Sequence, residues 1–331
     1  MKLLIYISSR FALLLSIVVI GSLLHERFIY PEIKNEEGWL QALAEKQLVK
    51  TPDIIYFSSS PNKALGPDDT DRRFISQMIQ DSIELHLEAI DTGAIHAGIY
   101  YSILKKIPKH QLPKILVVNL NIRSHGANWI HSGLENSLQR NFVYWNNNPG
   151  VINHLVASTK WYEYKSPAEL QRAIEYGDKF LELPFGGSHR TIKTWCDSLF
   201  RENKNSDEGL TIIRHFGFEI DENNAQLKRF DMITAWAKEN KIPLIFVILP
   251  ENVEKMRKLV GPDLSELVRR NAVFLEKRYK KRGANVLNLY DKAPEEIFFE
   301  SFPTEHYRSQ GRATVASAIA KEIRKIQGND N

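Results

Sequence analysis

Cysteine is almost missing from this chain. Its 331 residues hold one, Cys196, so no intramolecular disulfide can form and no cysteine-based metal site can be built. That disfavours a small secreted scaffold held by bridges, though not an exported bacterial protein as such. A concentrated charge of one sign is missing too. The formal net charge is +4 and no basic block or stripe stands out, which argues against a nucleic-acid partner. The densest basic run, Lys277 to Arg282, reads as the solvated end of a helix. Internal repeats and low-complexity tracts are also lacking. What remains is 43% hydrophobic and 25% charged, the composition of a globular chain with a sizeable core.

One long apolar run opens the sequence. Leu3 to Leu24, LLIYISSRFALLLSIVVIGSLL, matches the roughly 20 residues that a bilayer core requires. Two readings stay open, a retained signal anchor and a cleaved signal peptide. No small-x-small cleavage site precedes His25-Glu26-Arg27, which favours the anchor. Arg10 can snorkel toward the inner headgroups. Lys2 and Arg10 place the N-terminus in the cytoplasm and the rest outside it. The organisation expected is a cytoplasmic tip and anchor over 1–27, a juxtamembrane linker and helix over 28–52, and a folded domain over 53–331. The expected location is the inner membrane, single-pass, with the domain periplasmic.

Beyond Pro52, strand and helix patterns alternate. Asp53 to Phe57, Lys114 to Asn121 and Ile242 to Leu249 are short continuous apolar runs, and Asn285 to Tyr290 is a further strand. Ile83 to Ile90 alternates apolar and polar residues, also a strand pattern, and Asp91-Thr92-Gly93 then reads as a turn. Helices are expected over Asp68 to Asp81, with Asp71 as an early cap, and over Ala97 to Lys106, Asp263 to Lys281 and Ser309 to Ile326. This rhythm implies βαβ units and a parallel sheet in a flavodoxin-like three-layer α/β/α sandwich, preceded by one transmembrane helix. A stretch of about 124–232 breaks the rhythm, is rich in Trp and Tyr, and reads as a helical insertion or lid.

In such sheets, sites form where strand ends meet loops. The first strand runs into Ser58-Ser59-Ser60, the second element leads to Gly98, and the third strand ends at Asn121 and Arg123. His306 precedes the final helix, within Thr304-Glu305-His306-Tyr307 and ahead of Gly311-Arg312. A serine needs a nearby base and donors aimed at the developing oxyanion, and these residue types can supply both. His125 and His131 have no common metal-ligand spacing, and Gly186-Gly187 lacks the glycine-lysine helix start of a phosphate loop. No metal and no cofactor are expected.

The ordered set Ser60, Gly98, Asn121 and His306 resembles the SGNH/GDSL hydrolase superfamily. The N-terminal anchor, the strand IPLIFVILP followed by Glu251-Asn252, and the Glu-His pair followed by Gly-Arg resemble its membrane-anchored, DltD-like branch. The resemblance implies Ser60 as nucleophile and His306 as base, with the Ser60 and Gly98 N–H groups and the Asn121 amide as oxyanion donors. Arg123 is a candidate for an anionic substrate group or for pairing with a carboxylate. The sequence departs from the pattern at two places. Gly-Asp-Ser is replaced by Ser58-Ser59-Ser60, which leaves Ser59 as an alternative nucleophile. The acid three residues before the histidine falls on Pro303, which leaves Glu305 or a Ser-His dyad. The implied activity is that of a serine esterase or O-acyltransferase on an acylated envelope polysaccharide or glycan, with a membrane-bound O-acyltransferase as possible partner. The alternative is a non-catalytic envelope protein that keeps the fold to bind a glycan or such a partner.

Overall fold

The computed structural model describes residues 2–29, 31, 39–91, 93, 95, 97–126, 129, 150–159, 182–185, 188–191, 207–300 and 304–328. They fall into two compact units, Met1–Lys46 with Gly133–Gln171, and Gln47–Ser132 with Arg172–Asn331.

In the first unit, the apolar run forms a helix over Lys2–Leu24 that continues into a short π-helical turn, His25–Ile29. The segment Ile5–Ile29 is long and apolar enough to cross a membrane. Its large side chains, such as Phe11, Leu14 and Leu23, stand exposed. A helix Gly150–Thr159 packs beside its far end, where the His25 and His154 rings lie 5.2 Å apart.

The second unit is a mixed α/β fold around a five-stranded parallel sheet. Its strands are β1 (Ile54–Ser58), β2 (Leu87–Asp91), β3 (Ile115–Asn119), β4 (Leu244–Ile248) and β5 (Asn285–Asn288). The order across the sheet is β2-β1-β3-β4-β5. This is the flavodoxin-like order, with helices on both faces. Strands β1, β3 and β4 are buried at every position, as continuous apolar runs in a parallel sheet must be. Successive side chains leave a strand on opposite faces. Ile54, Tyr56, Val117 and Val247 therefore meet one layer, made by helices Ile75–Gln80 and Ser309–Gln327. Phe57 and Phe246 meet the other, where Phe57 stacks on Tyr100 at 4.7 Å and Phe246 packs on Phe230 and Tyr279. Each buried side chain of this size contributes about 1.5–3 kcal/mol.

Three boundaries differ from expectation. The helix expected over 68–81 spans only Ile75–Gln80, with Phe74 as its cap residue. The residues before it stay non-helical because Asp69 and the backbone of Asp71 and Arg73 bond to Arg312 instead. Strand β2 starts at Leu87 because Gln80 takes the neighbouring backbone, donating to the Leu85 carbonyl and accepting from the Leu87 N–H. Asp91, expected as the first residue of a turn, is the last residue of β2 and has a buried carboxylate; Gly93 lies in a turn, and Thr92 lies outside the described residues. The stretch of about 124–232 assigned to an insertion ends inside helix Ala225–Glu239, which packs against helix Ala97–Leu104 in the fold's own outer layer. Within the rest of that stretch a two-stranded hairpin, Glu182–Phe185 and Ser188–Thr191, and a helix Asp207–Phe216 are described.

Candidate functional site

The chain leaves β1 toward β2 on one side and returns to β3 on the other. The ends of β1 and β3 therefore flank the switch point of the sheet, where this architecture opens a crevice. Ser60 begins a single helical turn, Ser60–Lys63, directly after β1. Two polar staples hold that turn. The Asn62 side chain accepts from the Ser76 N–H at 2.8 Å and donates to Asp91, while Lys63 pairs with Asp91 at 2.6 Å. Asn62 is fully buried, and its partners lie at the next helix and on β2. No sequence period announces this staple, and neither Asn62 nor Asp91 stood among the expected site residues.

His306 arrives from the opposite end of the chain. Residues 297–299 and 306–308 pair antiparallel, with Phe299 N–H donating to the His306 carbonyl at 3.0 Å and Arg308 N–H to the Ile297 carbonyl at 2.8 Å. The final helix starts immediately after. Its Gly311 has no room for a side chain, since a Cβ there would lie 2.8 Å from the Ile297 carbonyl oxygen and from the Tyr307 Cβ. This approach brings His306 Nε2 to 3.1 Å from Ser60 Oγ, across 246 residues of sequence. Ser60 and His306 are partly buried, whereas Ser59 is buried and its hydroxyl has no partner among the described residues. Of the two candidate serines, Ser60 is thus the one within reach of the imidazole. Burial holds the His306 pKa below its ordinary value. The nearby Glu305 carboxylate opposes this and the Arg123 guanidinium adds to it. The imidazole is therefore neutral at pH 7 and able to accept a proton.

Glu305 does not take the place expected for a triad acid. It is buried and forms an ion pair with Arg123, which is itself 5% exposed. The two neighbours take different partners: Glu305, in a turn, faces the Arg123 guanidinium, while His306 faces Ser60. Of the two roles open to Arg123, an anionic substrate group or a carboxylate partner, the structure shows the second, and its guanidinium also lies over the Trp129 ring at 4.7 Å. Among the described residues no carboxylate hydrogen-bonds to His306, and Pro303 lies outside them. Behind the pair sits a second carboxyl, Glu251, which the sequence marked only as part of the Glu251-Asn252 pair after an apolar strand and gave no role. Glu251 is buried, accepts from the Thr304 hydroxyl at 2.6 Å, and has its pKa raised well above the ordinary value. Burial is the main cause and the Glu305 charge the next. A neutral Glu251 leaves one carboxylate facing one guanidinium, which balances the charge of the pocket.

Asn121 lies two residues past β3, at the start of a 3-10 turn, and accepts from the Arg123 N–H at 2.9 Å through its side-chain oxygen, which leaves its amide nitrogen as a donor. Gly98 lies in the first turn of helix Ala97–Leu104, and Tyr100 of that helix donates to the Ser58 carbonyl at 3.1 Å. His125 is a core residue, stacked on Phe230, with Nδ1 3.1 Å from the Asn121 carbonyl oxygen and its pKa pushed down to about 4 by burial. His131 and Gly186-Gly187 lie outside the described residues.

Fold and site together define an α/β protein with a Ser-His pair at the switch point of a parallel sheet. No protein-family model and no curated protein matches the chain. Among solved structures it is similar to the lipase/acylhydrolase from Enterococcus faecalis, with a TM-score of 0.37 at 9% identity, over 82% of this chain and 95% of that one. At that distance, chemistry has to be read from the site itself.

Proposed function

We propose that the chain is a membrane-anchored serine esterase or O-acyltransferase that works outside the cytoplasmic membrane. The observation that carries this reading is the 3.1 Å approach of Ser60 Oγ to His306 Nε2. Ser60 attacks an ester carbonyl while its proton passes to His306 Nε2. The oxyanion of the tetrahedral intermediate is held by the Ser60 and Gly98 N–H groups and the Asn121 amide nitrogen. The intermediate expels the alcohol, which takes the proton back from His306, and an acyl-serine remains. Water or a sugar hydroxyl then attacks that ester, with His306 again the base. The substrate class is an acylated envelope polysaccharide or glycan, and a membrane-bound O-acyltransferase is the fitting partner; both follow from the family resemblance and the apolar N-terminal helix.

The test is active-site labelling of the full-length chain in detergent with a fluorophosphonate. Labelling should vanish in Ser60→Ala, persist in Ser59→Ala and drop by about 100-fold or more in His306→Ala. A second reading, a non-catalytic glycan- or partner-binding protein, draws on the missing carboxylate partner of His306 among the described residues. A folded wild-type chain that takes no label would favour it.

A further inference from the structure

The Ser60 turn and the His306 segment are joined a second time, below the site, by one buried arginine. Arg312, in the first turn of the final helix, is wholly buried. Its guanidinium fans out to both segments. On the serine side, Nη1 donates to the Ala64 carbonyl at 3.2 Å and pairs with the Asp69 carboxylate at 2.7 Å. Nη2 donates to the Asp71 carbonyl at 2.5 Å and Nε to the Arg73 carbonyl at 3.1 Å. On the histidine side, Nη1 donates to the carbonyl of Tyr307, the residue after His306, at 3.1 Å. The Ala64 N–H in turn closes on the Ser60 carbonyl at 2.9 Å, so the fan reaches the turn that carries the serine. Asp69 completes the strap by accepting from the Gly66 N–H at 2.7 Å and the Ser309 N–H at 2.9 Å.

We propose that Arg312, with Asp69, is the positioning residue that sets the distance between Ser60 and His306. The inference rests on the Ser-His reading given above. The physical ground is that a guanidinium offers five N–H donors in a rigid plane, so its several acceptors are held in one mutual arrangement. An ammonium has three donors at one point and cannot span both segments, although it keeps the charge. Proton transfer from Ser60 depends steeply on the Oγ–Nε2 distance, and a displacement of 1 Å costs on the order of 100-fold in rate.

The experiment measures the second-order rate of fluorophosphonate labelling, together with the thermal midpoint, for full-length wild type, Arg312→Lys and Asp69→Asn in detergent. Each substitution is also made in a His306→Ala background. Arg312→Lys is expected to label about 100-fold more slowly and Asp69→Asn about tenfold more slowly, both while folded. In the His306→Ala background the same substitutions should leave the residual rate unchanged within about twofold, because no base remains to be positioned. Their thermal midpoints should fall there as they do in the parent. A merely structural role predicts equal rate losses in both backgrounds, and that result overturns the proposal. So does labelling of both variants at the wild-type rate. If Arg312→Lys fails to fold, Asp69→Asn carries the same comparison. Wild-type labelling that is absent, or independent of Ser60, sinks the Ser-His reading and this proposal with it. Ser60-dependent labelling with no Arg312 or Asp69 effect sinks only the strap.

Discussion

At the scale of the residue, the charges around His306 make opposed predictions. Only neutral imidazole can take the Ser60 proton, and burial holds its pKa below the ordinary value of 6.5. The labelling rate should therefore be flat near pH 7 and fall only as the pH drops below about 6.5. Glu305→Gln removes a charge that favours the imidazolium, so the inflection should move further down. Arg123→Gln removes a charge that opposes it, so the inflection should move up. Both variants strand one member of a buried ion pair, and urea unfolding should show losses of about 3–5 kcal/mol. Glu251 behaves differently. Its folded pKa lies above its unfolded value, so the folded state holds a proton that the unfolded state releases. Its contribution is therefore full below the ordinary carboxylate pKa and is lost as pH rises through the raised one. Glu251→Gln mimics the protonated form. Its unfolding free energy should decline less with pH over that window than the wild type's; an identical decline would show that Glu251 is ionised in the fold.

The element scale turns on how the final helix seats. Its second and third residues beyond Ser309 are Gly311 and Arg312, one needed for its absent side chain and the other for its fan of donors. Gly311→Ala pushes a methyl group into backbone and the Tyr307 side chain. A loss of about 1–3 kcal/mol is expected in chemical denaturation. Because Tyr307 follows His306, the same variant should also slow labelling. Retention of full stability would mean that the helix can shift without cost. The loop before Ile75 belongs to the same interface. Its acidic and turn-forming residues resemble a helix start in sequence, yet Asp69 is taken by Arg312 and by the Ser309 N–H.

For the whole molecule, the exposed apolar helix is the dominant fact. Ile5–Ile29 leaves side chains such as Phe11 and Leu23 more than half exposed, a contiguous apolar surface that water does not favour. The full-length protein should stay with the membrane pellet under alkaline carbonate extraction. Intact mass should show an N-terminus at or next to Met1, as a retained anchor requires. A mature chain that begins near residue 25 would identify a cleaved signal peptide instead.

The sequence alone determined the parts that depend on local burial. β1, β3 and β4 were legible because a strand covered on both faces must be apolar throughout, and the first helix because a bilayer-length run has few alternatives. The two longest helices among the described residues of the sheet unit, Pro262–Lys281 and Ser309–Gln327, were legible by their period. The residue types of the site could be placed at strand ends, since topology puts functional loops there. Tertiary structure alone decided the pairings. Which of two adjacent serines meets an imidazole 246 positions away depends on how the final helix packs on the sheet. Glu305 meets Arg123 rather than its neighbour His306 because a buried carboxylate needs a partner, and the fold brings a guanidinium to it from 182 residues away. Asn62, Glu251 and Arg312 carry no periodic signal, because a buried polar group is specified by its partners, and those partners are brought together only by the folded chain.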